Sequence, residues 1–394
     1  MRGFPAYRAL AVGLVFVALV HFLAQTLPVL RGRRLQDFRT YYYAATAHRR
    51  GLSPYDLSAL RKVAGRHEVH LPFVYPPHFL ALFAPLARMG YWHAYYLFLA
   101  LKLLALGALL WLWSRIVPTA RADLWPLLVT AALGCGSALL KDLKSGNVST
   151  FEQLLLWAGI YLLLRRRTLL GGASVLLSSM FKLATAPLGL LVPLIRRSTG
   201  AVSVWLALCL ATGLAYLALY AAQPQLWADF LSSVRTLDDR GGNCPSSLAF
   251  LGDVARAAGA GPAAAYVAYA LVGCLVLSAW LWAVWRSRGW QDPYARIHVT
   301  ILAYVLVVPR VKDYSLVLVL LPALHIISAL FGARRRAALW CLLLWAPFFD
   351  YQPLLLSACL FMALLRWISR SGSMPGAGLE LTLNPLRGFR AAGP

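Results

Sequence analysis

Long apolar runs, broken by short polar stretches that carry arginine, recur from one end of the chain to the other. They cover 7–30, 91–114, 124–140, 150–164, 168–195, 199–221, 263–285, 296–309, 315–332, 337–349 and 354–368. Most approach the roughly 20 residues that an α-helix needs to cross a hydrocarbon core. The pattern therefore predicts an all-α polytopic membrane protein. The run 168–195 stands apart: arginines flank both ends (Arg165, Arg166, Arg167, Arg196, Arg197), and Lys182 and Pro187 interrupt it. With both ends on one side of the membrane it forms a hairpin of two short helices, with Lys182 near the far tip. Counted so, the chain makes about 12 passes with both termini cytoplasmic.

Orientation follows from short arginine-rich loops, which stay cytoplasmic. These are 115–121, 165–167, 196–197, 286–296 and 334–336. The first outer loop, 31–75, carries nine Lys and Arg and opposes the rule, but long loops obey it weakly. Arg2 and Arg8 precede or open the first run and no small-residue cleavage site follows it, as in a retained anchor. Residues 1–370 read as one multi-pass domain, with interfacial helices in the first outer loop and its edge (31–90) and a second large outer loop over 222–262. The Gly/Pro-rich stretch 371–394 reads as a cytoplasmic tail.

Composition sharpens this picture. The chain is 60% hydrophobic and only 13% charged, with mean hydropathy +0.65. Its net charge of +24 comes from 38 Lys and Arg against 14 Asp and Glu, so a shortage of acids contributes much of it. Membrane lipids are expected partners and nucleic acid is not. The few acids concentrate on the predicted outer side or its edge. Six cysteines show no CxxC or Cys/His metal spacing, and there is no P-loop, dinucleotide fingerprint or internal repeat. No metal and no cofactor are expected.

Candidate chemistry gathers between Asp37 and Pro77. Residues 37–50 suit a short helix at the membrane surface, with Asp37, Tyr41, Ala44, Ala45 and His48 on one face, stopped by Gly51 and Pro54. Asp37 fits either a catalytic carboxylate or the N-cap of that helix. Asp56 follows Ser53-Pro54-Tyr55 as a turn residue would. Tyr75-Pro76-Pro77 leads into 78–87, which is too short to span; Tyr75 suits a ligand groove and the prolines a structural corner. Lys182, inside an apolar run, suits binding of a lipid phosphate or snorkelling to headgroups. Lys102 reads as a packing or snorkelling residue. The tight outer loop Arg310 to Tyr314 has two cations and a carboxylate, fit for a phosphate or for a solvated turn.

These motifs, in order, resemble glycosyltransferase family 87. The pieces are Asp37 to Ala47, Gly51 to Asp56, Tyr75 to Pro77, Ala84 to Ala87, Gly146-Asn147, Lys182 with Pro187, Asn243 with Ser246 and Ser247, and Pro309 to Tyr314. The resemblance implies a C-type glycosyltransferase fold, a polyprenyl-phosphate sugar donor (mannose in the best-known members), a lipid or glycan acceptor, and an active site facing outward from the bacterial cytoplasmic membrane. It assigns the general base to Asp37. Some members carry a Trp-Asp-His-His-like cluster where this chain has Lys312-Asp313-Tyr314-Ser315.

The chemistry suits the inventory. A phosphate leaving group needs no general acid, so one base for the acceptor hydroxyl suffices, and cations neutralise the departing phosphate. Lys182, Arg310 and Lys312 are the expected phosphate-binding residues. Tyr41, Tyr42, Asp56, Tyr75, Asn147 and Asn243 are the expected substrate-binding residues. Attack opposite the phosphate would invert the anomeric carbon. Two other classes remain: a transporter or flippase of an anionic lipid-linked sugar, which predicts inverted repeats and a midplane site that the sequence does not display, and a non-catalytic scaffold.

Overall fold

A computed structural model describes residues 5–32, 34–65, 67–116, 138–235, 244–290, 293–330 and 351–370. Asn243, the run 337–349, most of the run 124–140 and the tail lie outside those residues. Among the described residues every regular element is a helix. In chain order they are α1 Pro5–Leu30, α2 Gln36–Arg49, α3 Leu57–Ala64, α4 Phe79–Phe83, α5 Tyr91–Ile116, α6 (138–145), α7 Ser149–Leu164 and α8 Thr168–Phe181. Then follow α9 Leu191–Arg196, α10 Thr199–Ala222, α11 Pro224–Arg235, α12 Ser247–Ala257, α13 Pro262–Arg286, α14 Tyr294–Val307, α15 Val317–Leu330 and a closing helix Gln352–Arg370.

Among the described residues five helical stretches are long and apolar enough to cross a membrane: Tyr91–Ile116, Thr199–Ala222, Pro262–Gly289, Asp313–Leu330 and Gln352–Arg370. The 26 residues of α5 extend about 39 Å at 1.5 Å per residue, beyond the ~30 Å of a hydrocarbon core. The chain is a membrane protein. What surrounds each helix differs. α10 buries only Ala201, and Leu206, Leu210, Leu214 and Leu217 point outward, the surface that lipid covers. α14 has only 14 residues and buries nearly all of them, because α9, α13, α15 and the closing helix pack around it.

The segment 168–195 is broken as its pattern predicts. α8 ends at Lys182, whose backbone is extended (φ −143°, ψ 110°), and a 3-10 stretch Leu183–Leu190 containing Pro187 leads into α9. Arg196 Nε donates to Thr168 Oγ1 at 3.2 Å, which holds the two ends of the segment together and leaves Lys182 at the opposite end. α8 lies against α7 through glycines. A Cβ on Gly159 would come within 2.7 Å of the Gly171 carbonyl oxygen, so the close approach depends on small residues.

Among the described residues two apolar cores result. The larger joins α7, α9, α14, α15 and the closing helix. The smaller is aromatic and packs α2, α3, α4 and the start of α5 with Trp227 and Phe230 of α11. Phe38 is its centre, fully buried and stacked on Phe98 at 4.7 Å between centroids. That packing fixes the helix that carries Asp37.

Candidate active site

α2 starts from an unusual residue. Leu35 has left-handed backbone (φ 68°), which costs a β-substituted residue of order 1 kcal/mol or more. Two contacts hold it there: its amide donates to the Lys144 carbonyl at 2.9 Å, and its buried side chain covers Gly146. Gly146 is itself left-handed (φ +72°), and a Cβ on it would lie 2.8 Å from Leu35 Cβ. The start of α2 and the turn before α7 therefore lock together and bring Asp37 to Asn147. Asp37 is not the N-cap of α2, since that position is Leu35, which makes no side-chain cap bond.

A hydrogen-bonded chain then runs from Asp37 to Lys182. Asn147 Nδ2 donates to Asp37 Oδ2 at 2.7 Å and also contacts the hydroxyls of Tyr41 (2.9 Å) and Tyr75 (3.0 Å). The two tyrosine hydroxyls are 2.9 Å apart. Ser149 Oγ donates to Asn147 Oδ1 at 2.9 Å and accepts from Lys182 Nζ. Lys182 also donates to Ser315 Oγ at 3.0 Å, pairs with Glu152 at 3.2 Å and lies 5.1 Å from the centre of the Tyr314 ring.

Lys102 supports the turn from behind. Its ammonium donates to the Asn147 carbonyl and pairs with Asp142 at 2.7 Å, both side chains fully buried. Thr150 donates to the same Asp142 carboxylate at 2.5 Å. Lys102 is thus a paired internal cation, not the packing or snorkelling residue that its place in an apolar run suggested.

Burial pushes the Asp37 carboxyl up to about 6, against the opposing pull of the Asn147 hydrogen bond and of Lys102 and Lys182. A carboxylate so tuned ionises near neutral pH and accepts a proton readily. Burial also raises Tyr41 and Tyr75, so both stay neutral phenols able to hold hydrogen bonds.

These side chains face a cavity of about 390 Å³. Asp37, Tyr41, Tyr75 and Asn147 line it together with Lys182, Arg310, Lys312, Tyr314 and Ser315. Leu183, Ala184 and Arg310 also line a second cavity of about 430 Å³ that continues along Pro187, Leu277, Trp280, Ala303 and Val307. A carboxylate, cations and an apolar extension thus adjoin one another.

Seven of the ten residues expected to react or to bind substrate meet in that first cavity: Asp37, Tyr41, Tyr75, Asn147, Lys182, Arg310 and Lys312. Tyr42 lies elsewhere, with its hydroxyl donating to the Met89 carbonyl at 2.7 Å. Asp56 caps α3, accepting from the Ser58 amide at 2.8 Å and hydroxyl at 2.7 Å, bonds that hold its carboxyl below the usual range. Asn243 is outside the described residues. Glu152 was passed over in the sequence, although a carboxylate inside the apolar α7 is the same signal that marked Lys182. Among the described residues no group of three His, Cys, Asp or Glu side chains is arranged to hold a metal.

No curated protein and no solved structure matches the chain. A family model does match: that of glycosyltransferase family 87 covers residues 73–309, a stretch that holds Tyr75, Asn147 and Lys182 and begins after Asp37. Covering more than half of the chain, that match identifies this membrane protein as a member of glycosyltransferase family 87.

Proposed function

We propose that this transferase moves a sugar, mannose by kinship with its family, from a polyprenyl-phosphate donor to a lipid or glycan acceptor at the outer face of the bacterial cytoplasmic membrane, inverting the anomeric carbon. Its scaffold is then a C-type transferase fold with about 12 passes and both termini inside. The observation that carries the reading is the shared cavity. Asp37 faces the same space as Lys182, Arg310 and Lys312, and that space adjoins an apolar cavity suited to the first isoprene units of a carrier.

In this mechanism the acceptor hydroxyl oxygen attacks the anomeric carbon from the face opposite the phosphate. Its proton passes to the Asp37 carboxylate. The bond from that carbon to the phosphate oxygen breaks, its electron pair stays on the oxygen, and polyprenyl phosphate departs. Lys182, Arg310 and Lys312 stabilise the charge that grows on the phosphate. Glu152 beneath Lys182 offsets part of its positive charge when no donor is bound. Asn147, Tyr41 and Tyr75 orient the Asp37 carboxylate. The leaving group is already a good one, so no second carboxylate is required, unlike hydrolysis of an ordinary glycosidic bond.

The test supplies radiolabelled polyprenyl-phosphate mannose and an envelope lipid extract to the purified enzyme in detergent. Transfer by wild type and its loss in Asp37→Asn are expected. Absence of transfer from every polyprenyl-phosphate sugar offered would refute the donor assignment, and full activity of the variant would remove Asp37 from the mechanism. Turnover in detergent, where no membrane gradient exists, also separates transfer from transport.

A further inference from the structure

Lys182 has a carboxylate behind it that the reaction does not use. Glu152, on the first turn of α7, stands 3.2 Å from the Lys182 ammonium with 2% of its side chain exposed. It is not among the residues that line the catalytic cavity. The neighbouring acids have other partners: Asp142 pairs with Lys102 at 2.7 Å and Asp313 with Lys141 at 2.8 Å. Glu152 is therefore a negative charge set against the phosphate-binding cations from inside the protein.

The contacts of Lys182 keep that charge in place when a ligand arrives. Its ammonium has three N–H donors, and they face Ser149 Oγ, Ser315 Oγ at 3.0 Å and Glu152. Ser149 and Glu152 are buried, whereas Ser315 lines the cavity. An incoming phosphate can take the place of Ser315 and leave Glu152 where it is. Its nearest oxygen then lies about 6 Å from the carboxylate, on the far side of the ammonium.

We propose that Glu152, acting through Lys182, is a positioning residue that sets the charge of the phosphate site, so that the site holds a singly charged phosphodiester and releases a doubly charged phosphomonoester. The proposal rests on the transferase reading above, in which the first is the donor and the second the leaving lipid.

The reaction itself creates the difference to be sensed. The donor phosphodiester carries one negative charge. When the bond from the anomeric carbon to the phosphate oxygen breaks, that oxygen keeps the electron pair and the phosphate carries two. The acceptor proton has passed to Asp37, whose charge falls to zero, so total charge is conserved. The site thus loses the repulsion of Asp37 as the phosphate gains charge, and Lys182, Arg310 and Lys312 would trap the product. Glu152 takes no part in the proton transfer and keeps its charge. At about 6 Å it weakens the binding of each phosphate charge by roughly threefold to a hundredfold, for effective dielectric constants of about 80 to 20. The donor feels that repulsion once and the product twice.

The probes are polyprenyl phosphate and its methyl ester, which share one chain and differ by one charge at pH 8, well above the second ionisation of a phosphomonoester at about 6. Binding of each to the purified enzyme in detergent gives an affinity ratio. Glu152→Gln keeps the length of the side chain and an oxygen for Lys182, and should shift the ratio about tenfold towards the phosphate. In the transfer assay the inhibition constant of polyprenyl phosphate should fall about tenfold relative to the KM of the donor. Glu152→Asp keeps the charge and should leave the ratio within about threefold of wild type. The double variant Lys182→Met, Glu152→Gln removes one charge of each sign; both lipids should bind more weakly, with the ratio near that of wild type. An unchanged ratio in a folded Glu152→Gln would overturn the proposal. So would a tenfold shift in Glu152→Asp or in the double variant, each of which stands as a test even where the single Gln variant does not fold. Failure of wild type to bind either lipid would overturn the donor reading and this proposal together, whereas binding with a ratio indifferent to Glu152 would overturn the proposal alone.

Discussion

Replacing Asp37 by Asn should make the protein more stable and abolish its chemistry. Burial raises the carboxyl from 3.8 to about 6. A tenfold change in proton affinity is worth about 1.4 kcal/mol, so keeping Asp37 ionised at pH 7.5 costs the fold up to about 3 kcal/mol. That is an upper figure, because the Asp37 side chain is only partly buried and lines an open cavity, where solvent screens part of the charge. Asn keeps the shape, and its amide oxygen can still accept from Asn147 Nδ2, which stands 2.7 Å from the present carboxylate. The sign of the pH dependence is fixed. The folded state binds the proton more tightly than the unfolded state, so the wild-type penalty is complete above pH 6 and fades as pH falls towards 4. The stability gain of the Asn variant should therefore be largest at pH 7.5 and vanish near pH 4. Turnover should fall by about 10²- to 10⁴-fold, the usual contribution of a positioned base. Thermal melting of wild type and variant in detergent across this pH range, with donor turnover on the same samples, tests both halves. A variant that melts below wild type at pH 7.5, or that turns over normally, would refute the reasoning.

Three further outcomes follow from the same geometry. The kcat/KM of wild type should drop about tenfold per pH unit below about pH 6 as Asp37 takes up its proton; a flat profile between pH 5 and 7 would exclude it as the base. Lys182→Met should lose donor affinity and, by stranding the buried Glu152, cost about 3–5 kcal/mol of stability; adding Glu152→Gln should restore the melting temperature and not the affinity, whereas recovery of both would make Lys182 purely structural. Lys102→Met should cost a similar ~3–5 kcal/mol by leaving Asp142 unpaired and lower kcat through the loosened Asn147 turn; unchanged melting and activity would deny the pair its supporting role.

Much of this was legible in the sequence where one local rule governed the outcome. The stop signals at Gly51 and Pro54 bound a helix expected over 37–50, and α2 runs Gln36–Arg49. The interruption at Lys182 marked the break between α8 and the 3-10 stretch that follows. The four-residue spacing of Asp37 and Tyr41 placed both on one helix face, and both line the cavity. By the same period Tyr42 belongs to another face, with Phe38 against α5, so membership of a tyrosine cluster was a poorer guide than register.

Long-range closure was not legible. Asn147 reaches Asp37 across 110 residues of sequence, through a left-handed Leu35 that no propensity favours. An apolar run does not reveal whether lipid or protein will cover it: α10 and α14 read alike, and one is bare while the other is enclosed. The pairing of Lys102 with Asp142 was hidden for a similar reason, since a lysine in an apolar run looks the same whether it snorkels or finds a partner.

The most direct measurement of the central claim is a cryo-electron microscopy density map of the enzyme with a non-transferable polyprenyl-phosphate sugar analogue bound. The account predicts the phosphate among Lys182, Arg310 and Lys312, the isoprene chain along Leu277 and Trp280, and the anomeric carbon with its free face towards Asp37. A phosphate bound away from these cations, or a sugar separated from Asp37 by the wall of the cavity, would contradict it.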